Sequence, residues 1–157
     1  MILVEMPPEW IDTFRQVARE NDTVFVEQIL QLGIGEDREL IRWLTKEVEP
    51  EKIADVDKLK KMAYARVSKA SPVYEYDTGR KYIIELVTPI WEVLTHAERT
   101  AFAYCLLYRM AITFDKMDNP KFGVNSISAG ECAARLRFGD KCLPTPEQLA
   151  MRLKGEE

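Results

Sequence analysis

The sequence predicts an α+β fold, and three observations carry that expectation. Two runs rich in β-branched and aromatic residues, Val73-Tyr74-Glu75-Tyr76 and Lys81-Tyr82-Ile83-Ile84-Glu85-Leu86-Val87, flank Asp77-Thr78-Gly79-Arg80 and read as a hairpin. Thr95-His96-Ala97-Glu98 has the form of a capping box and opens a helix to about Phe114 that is apolar nearly all round, as central buried helices are. Ahead of both, residues 1–50 carry apolar side chains at helical spacing between clear start and stop signals. The expected organisation is an acidic N-terminal helical segment over residues 1–50 and a core over residues 51–157, forming one compact unit. In that core a central helix packs on a small antiparallel sheet.

In chain order, Pro7-Pro8-Glu9 suits a first helical turn, and Trp10, Phe14, Val17 and Ala18 follow at helical spacing. Asn21-Asp22 ends that helix and caps a second, with Val24, Phe25, Ile29 and Leu32 as its stripe, and Gly33-Ile34-Gly35 stops it. Glu36-Asp37 opens a third helix carrying Leu40, Ile41 and Leu44, which Pro50 interrupts. Residues 51–70 are ambiguous: Ile53, Val56, Leu59 and Met62 continue a helical pattern, whereas Tyr64-Ala65-Arg66-Val67-Ser68 alternates like a strand. Pro89 ends the strand of residues 81–87. Within the central helix Arg109 must find a partner or reach outward along its aliphatic stem. After a loop with Asn119-Pro120 and Gly123 comes a short helix through Cys132, Ala133, Ala134 and Leu136, closed by Phe138-Gly139. Thr145-Pro146-Glu147 caps a last helix over residues 147–154.

With 157 residues, 46% hydrophobic and 31% charged, the chain has the length and composition of one folded soluble domain and not of a disordered one. The first eight residues lack a basic leader region, and no run approaches the apolar length of a membrane span, so a cytoplasmic protein is expected (host cytoplasm, for a viral protein). Three widely spaced cysteines, Cys105, Cys132 and Cys142, do not make a disulfide framework and read as free, mostly buried thiols. The net charge of −4 is unevenly spread: residues 1–57 hold 14 acidic and 6 basic side chains, and residues 58–157 hold 12 and 16. Two surfaces of opposite potential follow from that split.

The segments Arg66-Val67-Ser68-Lys69-Ala70, Lys81-Tyr82-Ile83-Ile84-Glu85-Leu86, Trp91-Glu92-Val93-Leu94-Thr95 and Arg99-Thr100-Ala101-Phe102 stand in a telling order and spacing. They resemble the phage metallopeptidases of the zincin-like, HExxH type, in which a β-rich segment and a Trp-bearing strand exit lead to a helix start and then to HELxH. Arg135-Leu136-Arg137-Phe138-Gly139 is similar to the closing motif of that family, and the resemblance covers about residues 60–140. It implies a zincin-like core. It also implies that the two zinc-binding histidines and the catalytic glutamate would fall at Cys105, Arg109 and Leu106. The leucine takes no proton from water, the arginine stays protonated and cannot bind the metal, and a lone cysteine does not rebuild a His-based site. No histidine lies near Ser126, where the third ligand would fall, and His96 is the single histidine of the chain. The resemblance is therefore to a degenerate member, a pseudoenzyme with no catalytic residues, no metal ligands and no cofactor.

Other chemistry is weakly signalled. Cys105, Cys132 and Cys142 with His96 contain no close Cys pair for structural zinc, and Cys132 has no neighbouring histidine base. The pairs Asp55/Asp57 and Asp115/Asp118 read as solvated caps, and Gly33-Ile34-Gly35 lacks the lysine and preceding strand of a phosphate loop. The leading functional expectation is an inactive phage-type protein acting through protein–protein interaction, with inhibition of a host enzyme or defence complex as its sharper form. Its partner surface is expected on the acidic N-terminal segment, at Trp10, Glu36, Asp37, Glu39 and Trp43. Two alternatives stand beside it: a nucleic-acid-binding or DNA-mimicking regulator, with Arg135, Arg137 and Lys141 as contacts, and an enzyme with non-standard catalytic residues.

Overall fold

The computed structural model describes residues 2–21 and 40–155, and its architecture is mixed α and β. Strand β1 (Ile2–Glu5) leads to helix α1 (Pro8–Glu20), which bears the expected stripe of buried Phe14, Val17 and Ala18. Strand β2 (Ile41–Glu47), helix α2 (Pro50–Ile53), helix α3 (Val56–Lys61) and strand β3 (Ala65–Lys69) come next. They are followed by helix α4 (Pro72–Thr78), strand β4 (Tyr82–Val87), helix α5 (Thr88–Val93) and helix α6 (His96–Tyr108). Strands β5 (Met110–Phe114) and β6 (Pro120–Val124) form a hairpin, and helices α7 (Ile127–Phe138) and α8 (Pro146–Leu153) complete the described chain. Among the described residues no helix is long and apolar enough to cross a membrane.

The sheet runs in the order β1-β2-β4-β3 and is mixed, not antiparallel as expected: β2 and β4 are parallel, and the outer pairs are antiparallel. The parallel pair comes from residues 41–47, which were expected to be helical. Leu40, Ile41 and Leu44 do fit a helical stripe. The stronger pattern has period two: Ile41, Trp43 and Thr45 are buried, whereas Arg42, Leu44 and Lys46 are only half-buried. This strand lies between β1 and β4, so part of residues 1–50 belongs to the sheet and is not a helical addition to it. The expected second helix and its Gly33-Ile34-Gly35 stop lie outside the described residues.

Two further expectations are corrected. The 73–76 run is helix α4, not a hairpin strand. Ser71 Oγ accepts the Tyr74 N–H at 3.3 Å, Pro72 sits in the first turn, and Gly79 at φ 76° ends the helix in the left-handed region. Val73 and Tyr76 are exposed and have no apolar face to join. The antiparallel neighbour of β4 is instead β3. The central helix stops at Tyr108 and does not reach Phe114, because Met110-Ala111-Ile112-Thr113-Phe114 buries Met110 and Ile112 in alternation and pairs with β6. The capping box that starts α6 is present in both directions, between Thr95 and Glu98. α7, closed by Gly139, and α8 follow the sequence expectation to within a few residues.

One apolar cluster joins these elements. Phe14 stacks on Trp91 at 5.5 Å between centroids and 12° between planes, and it meets Trp43 at 5.0 Å, so α1, α5 and β2 share an aromatic centre. The Tyr82 hydroxyl donates to the Gly123 carbonyl at 2.9 Å and lies 3.3 Å from that of Ala111, tying the β5–β6 hairpin to the sheet.

Candidate binding cleft

Helices α3, α6, α7 and α8 enclose a cleft of about 550 Å³. Its inner wall is apolar and comes from buried Leu59, Ile90, Leu94, Leu106 and Leu149, with half-buried Phe102 beside them. Polar and charged groups lie toward the rim: exposed Lys60, Lys61 and Arg135, with half-buried Tyr64, Arg109 and Glu131. Apolar walls with a few polar groups, in a volume of this order, are the usual makeup of a binding site.

The three positions where the resemblance implies zinc chemistry all line this cleft. Cys105 is buried, and its thiol is pushed up to about 12 by that burial and then by the Glu131 charge, against an opposing pull from Arg109. At neutral pH it is a protonated thiol and therefore a poor nucleophile. Leu106 contributes only apolar surface. Burial lowers the pKa of the Arg109 guanidinium, which remains a cation, and its Nε donates to the Asn125 carbonyl at 3.1 Å. The need for Arg109 to find a partner is met by that bond.

Gly130 sets how closely α7 approaches α6. A Cβ placed there would lie 2.6 Å from the Cys105 carbonyl oxygen, 2.9 Å from the Cys105 sulfur and 3.0 Å from Cγ of Arg109. Only glycine permits that approach, and Ala134, one turn on, is fully buried on the same helix. The spacing of Gly130 and Ala134, two small residues one helical turn apart, is the sequence signature of such a close helix contact. Tyr64 and Glu131 carry no local motif that marks them as cleft residues, and Lys61 stood out in the sequence only as part of the basic charge of residues 58–157. The Tyr64 phenol is raised above its usual range by burial and then by the charges of Glu131 and Glu147, so it is a hydroxyl donor at neutral pH.

The other candidate residues are dispersed. His96 is exposed at the start of α6, nine residues from Cys105, a separation of about 13 Å along a helix. Among the described residues no group of three or more His, Cys, Asp or Glu side chains could hold a metal ion. Asp55 caps α3 by accepting the Asp57 N–H at 3.1 Å, and Asp115 accepts the N–H groups of Met117 and Asn119 at 2.8 and 2.9 Å. Those backbone bonds hold the Asp115 carboxyl below its usual range. Both pairs therefore act as local turn and cap groups. The cysteines are free as expected, but only Cys105 is buried: Cys132 is exposed and Cys142 half-buried.

On the expected partner surface, Trp43 is corrected: it is 6% exposed and packs on Phe14, because the segment that bears it is an internal strand. Trp10 is half-buried against Trp91 at 5.9 Å. Glu36, Asp37 and Glu39 lie outside the described residues. The alternative nucleic-acid contacts do not make one patch. Arg135 lines the cleft and approaches Glu131 at 3.7 Å, whereas Arg137 donates to Asn21 at 2.7 Å and lies over the Tyr104 ring at 5.6 Å. Lys141 is exposed in the loop after α7.

No protein-family model matches the chain, and neither the curated proteins nor the solved structures give a match.

Proposed function

We propose that this chain is a non-catalytic binding protein that holds a protein partner in the α3/α6/α7/α8 cleft without cutting it. The observation that carries this reading is the chemistry of the cleft at the three positions the metallopeptidase resemblance singles out. A protonated buried thiol, a leucine and an arginine tied to a backbone carbonyl replace any pair of ligands and base, while a cleft of about 550 Å³ persists around them. The degenerate zincin-like ancestry, the phage setting and the inhibition of a host enzyme or defence complex are the sharper form of the same proposal, and they rest on the resemblance.

The test compares tagged wild type with Arg135→Glu, which alters the cleft, and Arg137→Glu, which alters the opposite side of α7. A partner enriched from bacterial lysate by wild type and Arg137→Glu, but lost with Arg135→Glu, is expected. A partner retained equally by all three proteins would move the working surface elsewhere. Turnover of a peptide library by the purified protein, with or without added zinc, would overturn the non-catalytic reading itself.

A further inference from the structure

The charges and polar groups of the cleft define what fits in it. Four cationic side chains line it, and two are matched by acids: Arg135 approaches Glu131 at 3.7 Å, and Lys60 approaches Glu147 at 4.0 Å. Among the described residues Lys61 and Arg109 meet no carboxylate. Arg109 is the deeper of the two, with Cγ packed against Gly130 and Nε committed to the Asn125 carbonyl. Among the described residues its two terminal nitrogens have no hydrogen-bond partner and form a fork, which suits the two oxygens of one carboxylate. Behind it lies the apolar wall of Leu59, Leu94, Phe102 and Leu106.

We propose that the occupant of this cleft is the C-terminus of a partner chain, its last apolar side chain against the inner wall and its free carboxylate on the Arg109 fork. This deepens, and rests on, the binding role proposed above. A fatty acid would satisfy the wall and the fork but has no use for the other polar groups of the cleft. A peptide does: its N–H groups find an acceptor in Glu131, and its carbonyls find a donor in the Tyr64 hydroxyl, which among the described residues has no hydrogen-bond partner. Recognition of a terminal carboxylate with an apolar side-chain pocket beside it is an established mode of peptide capture.

The test needs no variant in its first arm. The probe is N-acetyl-Ala-Ala-Leu-Leu with a free carboxylate, measured by titration calorimetry against the same peptide amidated at its C-terminus and against decanoate. The acid is expected to bind at least about tenfold tighter than the amide, as a charge-assisted hydrogen-bond pair implies. In the second arm Arg109→Gln should erase that difference and Tyr64→Phe should weaken the acid and the amide equally, while Arg137→Gln changes neither. Equal binding of acid and amide, or no binding of either, overturns the proposal. Decanoate binding as tightly as the peptide acid makes the cleft a small-acid site and overturns the peptide assignment. Mass spectrometry of the recovered peptide separates the two levels: a cleaved peptide sinks the non-catalytic reading. Intact peptides that fail to bind, alongside partner capture that still depends on Arg135, sink only the C-terminal assignment.

Discussion

Gly130→Ala tests the packing that shapes the cleft, because two opposing effects act at that residue and the structure says which wins. Alanine is the better helix former, by up to about 1 kcal/mol in a helix interior. Against that gain, the new methyl group would meet the Cys105 carbonyl oxygen at 2.6 Å. Relief requires a retreat of about 0.8 Å to reach ordinary contact, and the obstructing atom is backbone, so no rotamer change absorbs it. The neighbouring obstacles, the Cys105 sulfur at 2.9 Å and Cγ of Arg109, the residue that caps the end of α6, at 3.0 Å, crowd the same methyl group. α6 and α7 must therefore part.

Overpacking of this kind costs roughly 1–3 kcal/mol, and the propensity gain offsets part of it, leaving a net loss of about 1–2 kcal/mol. For a chain of this length that corresponds to a fall in Tm of roughly 3–8 °C. Urea denaturation followed by circular dichroism, with an unchanged m-value, would report the loss as one of native packing. If Gly130→Ala unfolds within 0.5 kcal/mol of wild type, or is more stable, the close α6–α7 contact is wrong, and so is the position of Arg109 in the cleft.

Two further outcomes follow from the charge states. Burial acts to raise the Glu98 carboxyl, but the Arg152 guanidinium, at 2.6 and 3.2 Å, and the capping bonds of Thr95 outweigh it and leave its pKa below the usual 4.5. A depressed carboxylate contributes stability that is present above its unfolded-state pKa and is lost as pH falls through the lower folded value. Glu98→Gln keeps the capping geometry, so it should cost roughly 1 kcal/mol at pH 7 and progressively less as pH falls below the usual carboxylate range; a cost independent of pH would contradict the ion-pair account. The thiols should label in order of access: iodoacetamide should modify exposed Cys132 first, then half-buried Cys142, and Cys105 only on unfolding, since its pKa stands at about 12. Rapid native labelling of Cys105 would show that its thiol is exposed and reactive, against its burial.

Elements with local punctuation were legible in the sequence. The capping box at Thr95, the stripe of α1 and the Gly139 stop of α7 each fix a helix by contacts within a few residues. Elements fixed by distant partners were not. Val73-Tyr74-Glu75-Tyr76 has strand-forming composition, yet β3 takes the place beside β4 that a hairpin would need. Residues 41–47 carry both a helical and an alternating pattern, and only the parallel partner β4 decides between them. The cleft was half legible. The resemblance singled out Cys105, Leu106 and Arg109 only as lost zinc positions, with the partner surface expected on the acidic segment, whereas Tyr64 and Glu131 reach them from separate elements, a juxtaposition that no spacing encodes.

Helix geometry also decides how the basic rear half of the chain works. Arg135 and Arg137 are two residues apart on α7, roughly 200° around a helix axis, so they cannot contribute to one face. Their contacts follow that geometry: Arg135 turns toward Glu131 and the cleft, and Arg137 turns toward Asn21 and the Tyr104 ring. A phosphate-binding stripe needs its cations on one side, where they release counterions together. Here Arg135 and Arg137 instead serve two different places, the cleft and a tertiary contact. Charge reversal at Arg137 should therefore be felt as lost contact with α1, through Asn21, and charge reversal at Arg135 as lost recognition. A nucleic-acid interface would make the two substitutions equivalent, each lowering the salt dependence of binding by about one phosphate contact.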